Sequence, residues 1–168
     1  MSEPESIEAT RHDSRSMTSV QLDFRCAPDP GAISAAMGRA FETLGRFIGA
    51  NGLVPGGPPR AIYNAYGPDG VDVTVAIPIE TPASPIPAGG DVRVALLPAG
   101  RTLRFTHKGP YRELSGTYGR ITQHLMKEGM IESEADWSRF MPMWEEYLND
   151  PASTAEAELV THIHLPLV

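Results

Sequence analysis

Glu145, Glu146 and Tyr147 are consecutive in the segment MWEEYL, where strand-like alternation sets Met143, Glu145 and Tyr147 on one face and Trp144 and Glu146 on the other. The two carboxylates then meet different surroundings. An inward Glu145 attracts a cationic ligand, accepts a hydrogen bond or takes a proton, while the neighbouring aromatic surface supplies apolar burial. In the alternative arrangement Tyr147 is core and both glutamates are solvated, which is ordinary for acids beside a turn.

Aromatic residues supply the other candidates for a ligand site. Tyr63 and Tyr66 have opposite parity in RAIYNAY, so both face one pocket only if the strand ends or bulges between them. Tyr63 is the better candidate, with a phenol to hydrogen-bond and a ring to pack, although a structural tyrosine fits the pattern equally well. Tyr111 follows a Gly-Pro turn and is placed at a pocket mouth, whereas Tyr118 falls on an apolar helical stripe and reads as core. Trp137 is a candidate lid. Phe140, Met141 and Met143 make the same region apolar and adaptable.

The five histidines carry less information. His162-x-His164 sets two imidazoles on one strand face, but no third ligand is specified by spacing, so no metal site and no cofactor is predicted. Cys26 is the only cysteine and lacks a local activating group, so it reads as a packing residue and excludes an internal disulfide. PGGPP and PAGG lack the arrangement of a phosphate-binding loop, and there is no G-x-S-x-G elbow.

The elements that must position these residues repeat along the chain. VQLDFRC alternates as a strand, APDPG breaks it, and Met37, Phe41, Leu44 and Ile48 then recur at helical spacing until Asn51-Gly52. RAIYNAY, the turn GPDG and VDVTVAIPI complete a strand, helix, hairpin unit. After the Pro/Gly-rich connection ETPASPIPAGG the order restarts. Tyr118, Ile121 and Leu125 stand 77 residues after Phe41, Leu44 and Ile48, and Gly129 stands 77 after Gly52. The terminal strand, from Leu159 to Leu167, repeats Val71 to Ile79 at an offset of 88. The expected fold is therefore α+β: duplicated βαββ units, at about 19–80 and 92–168, sharing one antiparallel sheet with two main packing helices. Their seam is the expected pocket.

With 168 residues the chain is sized for one compact domain, and the polar residues 1–18 are expected to form a disordered tail. A net charge of −7, with no basic patch, argues against direct nucleic-acid binding. The sequence shows no apolar signal core and no run of about 20 apolar residues, so no membrane insertion and a cytoplasmic location are expected.

HKGPYREL at 107–114, EEYLNDP at 145–151 and AELVTHIHLP at 157–166 together resemble the GyrI-like small-molecule-binding family, the bacterial transcription-activator effector-binding domains. The resemblance extends over about 19–168. It implies that Glu145 is a pocket glutamate, Tyr147 its adjacent aromatic, and Tyr63 an aromatic counterpart in the first repeat. It also implies a stand-alone binder of hydrophobic or cationic small molecules, since no helix-turn-helix domain fits before it. Ligand contacts are then expected from Glu145, Tyr63, Tyr111, Trp137, Phe140 and Met143. Two alternatives accompany this reading. One is a hydrolase that opens reactive cyclopropane-containing or other electrophilic molecules, with Glu145 and Tyr63 catalytic. The other is a partner-binding regulatory module. His124-Leu125 stands where relatives commonly have Trp-Leu.

Overall fold

The computed structural model describes residues 7–87 and 90–167. Eight strands form one antiparallel sheet: β1 (Thr10–Ser14), β2 (Met17–Cys26), β3 (Arg60–Gly67), β4 (Gly70–Pro78), β5 (Arg93–Leu97), β6 (Gly100–Lys108), β7 (Met143–Tyr147) and β8 (Val160–Pro166). Two helices, α1 (Pro30–Ala50) and α2 (Leu114–Lys127), follow β2 and β6. The spatial order β1-β6-β8-β7-β3-β4-β2-β5 makes the duplication explicit. β2-α1-β3-β4 and β6-α2-β7-β8 are two βαββ units, and β7 pairs with β3 at their seam.

Local chemistry sets the helix ends. Asp29 caps α1 by accepting from the backbone N–H groups of Gly31 and Ala32, and Pro30 occupies the first turn, where its missing N–H costs nothing. The helix then buries Ala36, Ala40, Leu44 and Ile48 against β2 and β4. Leu44 and Ile48 are buried as expected, whereas at the start of the helix the stripe shifts by one residue: Ala36 and Ala40 are buried, and Met37 and Phe41 flank them, partly buried. In α2 the buried positions are Thr117, Ile121 and Leu125, so the offset of 77 extends back to Ala40 and Thr117. Gly52 and Gly129 follow the two helices with φ of 62° and 72°, a conformation that glycine adopts without a Cβ penalty.

Each repeat has its own apolar cluster between sheet and helix. Val20, Leu44, Val71, Val73 and Val75 centre the first, and Phe105, Ile121, Leu125, Ile163 and Leu165 the second. Tyr63 packs against both.

The N-terminal region departs from expectation. Residues 1–6 lie outside the described residues, but Thr10–Ser14 pair with Arg104–Gly100 of β6, and Met17 and Thr18 already belong to β2. Backbone pairing with an open sheet edge orders a segment whose composition alone buries little. β5 also departs from expectation: it falls inside the expected second unit, about 92–168, yet pairs with β2 of the first, at the opposite edge of the sheet from β1. Among the described residues, no helix is long and apolar enough to cross a membrane.

Candidate functional site

Between α1 and α2, over the seam of the two units, lies an open cleft of about 1690 Å³. That exceeds the roughly 300–1,000 Å³ typical of small-molecule pockets, so it has room for a bulky ligand. Ile33, Met37 and Phe41 of α1 form one wall, and Leu114, Ser115 and Tyr118 form the facing one. Tyr63, Met143, Glu145 and Tyr147 come from the sheet, and Trp137 and Met141 close one side.

Glu145 is where alternation along β7 puts it, facing the helices. Its cross-strand neighbours, Ala61 on β3 and Ile163 on β8, are both fully buried, and Glu145 itself is 3% exposed. One carboxylate oxygen, Oε1, accepts from the Tyr147 hydroxyl at 2.7 Å, and Oε2 accepts a short bond from Tyr118. Among the described residues it has no ion-pair partner.

Burial is the largest influence on this carboxyl and pushes its pKa above the ordinary value. The phenol hydrogen bonds and the nearby His107 act in the opposite direction without cancelling it. Hydrogen bonds to a charged group contribute about 1.5–3 kcal/mol each, against several kcal/mol for desolvating an ion. Burial, reinforced by the carboxylate charge, also drives the Tyr63, Tyr118 and Tyr147 phenols upward, so they remain protonated donors.

The rim continues the acidic character. Glu134 and Asp150 line the cleft, while Arg112, also at the lining, ends on Glu156 at 2.8 Å. Tyr111 stands at the mouth with its ring edge-on to Tyr147, 5.6 Å between centroids. Trp137 is fixed as a wall: its indole N–H donates to Thr122 at 2.9 Å, and its ring contacts Tyr118 and Phe140.

The motifs around the cleft are held by local polar ties. In the HKGPY segment, His107 is buried; its Nε2 donates to the Pro110 carbonyl at 3.0 Å, leaving Nδ1 to accept from Thr117. This fastens the turn before α2 to the helix itself. Gly109 there has φ of 123°, and a 3-10 turn at Tyr111–Glu113 leads into α2. In the LNDP segment, Asn149 accepts from the Val160 N–H and donates to the Glu158 carbonyl, both at 2.9 Å, while Asp150 caps Ala152. That network positions the Asp150 side of the mouth.

Five of the six sequence-expected contacts, Glu145, Tyr63, Tyr111, Trp137 and Met143, therefore line one cleft. Phe140 does not: it is buried in the second core cluster behind Trp137. Tyr118, expected as core, packs its ring against the second core cluster and also brings a hydroxyl to the pocket. Its repeat partner Phe41 lines the same cleft, and the offset of 77 was the available signal. Tyr66 joins Tyr63 at the lining because β3 shifts register between Tyr63 and Ala65, the bulge that opposite parity requires.

The profile of the GyrI-like small molecule binding domain matches residues 20–168. No curated protein matches the chain by sequence. Among solved structures, the EcmrR C-terminal domain is similar at TM-score 0.73 and 18% identity, over 95% of this chain and 96% of that one. The chain spans only 57% of the EcmrR chain solved with DNA, to which it is similar at the same score and identity over 95% of its own length. A hydrolase from Listeria innocua aligns at TM-score 0.61 and 15% identity, over 98% of this chain and 94% of the other. SAV2435 bound to tetraphenylphosphonium aligns at 0.61 and 14%, over 96% and 94%. At these identities the likeness is one of fold.

Proposed function

The chain belongs to the GyrI-like small-molecule-binding family, and from that premise we propose that it reversibly binds bulky hydrophobic cations in the cleft between its two repeats, with Glu145 as the counter-charge. The observation that carries this reading is a buried carboxylate with no ion-pair partner among the described residues, at the floor of an aromatic-lined cleft. Such a group is costly when ionised in isolation, and a ligand cation offsets that cost. Tyr63, Tyr111, Tyr118 and Trp137 offer ring faces and edges for cation and apolar contact. Glu134 and Asp150 add an acidic rim. The ligand carried by SAV2435, tetraphenylphosphonium, has this chemistry.

Binding is favoured over hydrolysis by the state of Glu145. Both of its oxygens accept hydrogen bonds from phenols, which support the ionised form that a ligand cation pairs with and weaken it as a base toward water. The reading needs no cofactor and no nucleic-acid contact, and we place the protein in the cytoplasm as a small-molecule binder.

Fluorescence tests it. In a Trp144→Phe background, Trp137 is the remaining tryptophan, and titration with tetraphenylphosphonium should change its emission saturably. A flat titration across a panel of hydrophobic cations, with the fold intact by circular dichroism, would contradict the reading.

A further inference from the structure

We propose that Glu146, His162 and His164 form a binding site for a late first-row divalent cation, best suited to zinc, on the sheet face opposite the cleft. The antiparallel register of β7 and β8 sets Glu146 directly across from His162 and Trp144 across from His164. Neighbours on one sheet face are close enough for their side chains to converge. One donor atom from each of the three lies within 4.8 Å of the others. His164 Nε2 bonds to Glu146 Oε1, and His162 Nδ1 stands 4.0 Å from the same oxygen.

Tetrahedral coordination at about 2.1 Å per bond separates ligand atoms by roughly 3.4 Å. Glu146 and His164 must therefore open slightly and His162 must close, movements within reach of side-chain adjustment. Two imidazoles and one carboxylate suit zinc, with the fourth position left to water.

The surroundings supply the supports a metal-binding histidine needs. His164 is 1% exposed, and its Nδ1 lies 2.9 Å from the Thr102 hydroxyl. As it stands, Nε2–H donates to the Glu146 carboxylate and Nδ1 accepts from Thr102; a metal on Nε2 takes the other tautomer, in which Nδ1–H donates to the Thr102 hydroxyl, whose own proton turns to the His12 carbonyl 3.5 Å away. Trp144 stacks on the imidazole with centroids 5.1 Å apart and planes 15° from parallel, which fixes the ring. His162 and Glu146 are partly exposed and provide the approach from solvent.

Two cations oppose the site. Arg60 lies 3.7 Å from Glu146 Oε2, and Arg104 bears electrostatically on His162. Arg60 engages Oε2, so Glu146 offers Oε1 as a single donor.

The test is titration of the intact chain with Co²⁺, read by its ligand-field absorption, followed by displacement with Zn²⁺. One equivalent should bind per chain with a four- or five-coordinate spectrum, and zinc should displace it. His162→Ala, at a partly exposed position, should lower affinity by at least about tenfold, whereas His124→Gln on α2 should leave it unchanged. Circular dichroism establishes that each variant is folded. Absence of a spectrum in the unaltered protein, or His162→Ala binding as tightly as the parent, would overturn the proposal.

Discussion

Glu145 and Glu146 are adjacent on β7 and face opposite sides of one sheet: the first stands under the helices among tyrosines, the second among Arg60, His162 and His164. The same side-chain chemistry is consequently driven in opposite directions. Burial raises the Glu145 carboxyl above its ordinary value. Burial also acts upward on Glu146, but the hydrogen bond from His164 and the charges of His164, Arg60 and His162 outweigh it and hold this carboxyl down. A one-residue step along a strand therefore separates a carboxylate buried among phenols from one held down by basic side chains.

The raised Glu145 pKa has a definite sign in stability. Between the ordinary carboxyl value near 4.5 and the higher folded value, the folded chain holds a proton that the unfolded chain has released. The contribution of this group is thus fully present below that window and is lost as pH rises through it. Thermal unfolding followed across acid pH should show this loss as a difference between the parent and Glu145→Gln. Cation affinity should rise over the same window as Glu145 ionises.

Tyr118→Phe keeps the ring and removes one donor to the carboxylate. The ionised form loses support, so the pH midpoint for cation binding should move upward while affinity for a neutral ligand changes little. Stability should change by about 1–2 kcal/mol at neutral pH. Calorimetric titration across pH separates the two effects.

Thr117→Val preserves shape and leaves His107 Nδ1 without its hydroxyl partner. The expected loss is about 1–3 kcal/mol, the penalty for a buried polar group left unsatisfied. Denaturant unfolding measures it. Because this tie secures the turn that carries Tyr111, ligand affinity should fall as well.

Gly52→Ala and Gly129→Ala test the duplication. Both glycines have positive φ and an open space where a Cβ would stand, so conformational strain alone should cost about 1–2 kcal/mol in each. Matched losses in denaturant unfolding are expected at the two equivalent positions.

Much of this arrangement is legible in the sequence because it is set by local periodicity. The offset of 77 between helices places Leu44 with Ile121 and Ile48 with Leu125, and the parity of MWEEY separates Glu145 from Glu146. What is not legible depends on which strands become neighbours. β1 is ordered by an edge that β6 supplies. The third member of the His162 and His164 group is Glu146, which only the β7–β8 register brings there. Tyr118 looks like core by spacing because its ring is core-like; its hydroxyl acquires a role only when β7 carries Glu145 beneath it. Phe140 differs for the converse reason: at the end of the 3-10 helix that carries Trp137 it turns inward, and composition does not fix that direction.

The most direct test of the central claim compares a hydrophobic cation with a neutral ligand of the same shape, tetraphenylphosphonium against tetraphenylsilane or a more soluble neutral analogue, by calorimetric titration of the parent and of Glu145→Gln. The account predicts that the parent prefers the cation and that Glu145→Gln loses about tenfold or more in cation affinity, equivalent to about 1.4 kcal/mol, while neutral-ligand affinity is retained. Equal cation affinity in the two folded proteins would contradict the assignment of Glu145 as the counter-charge.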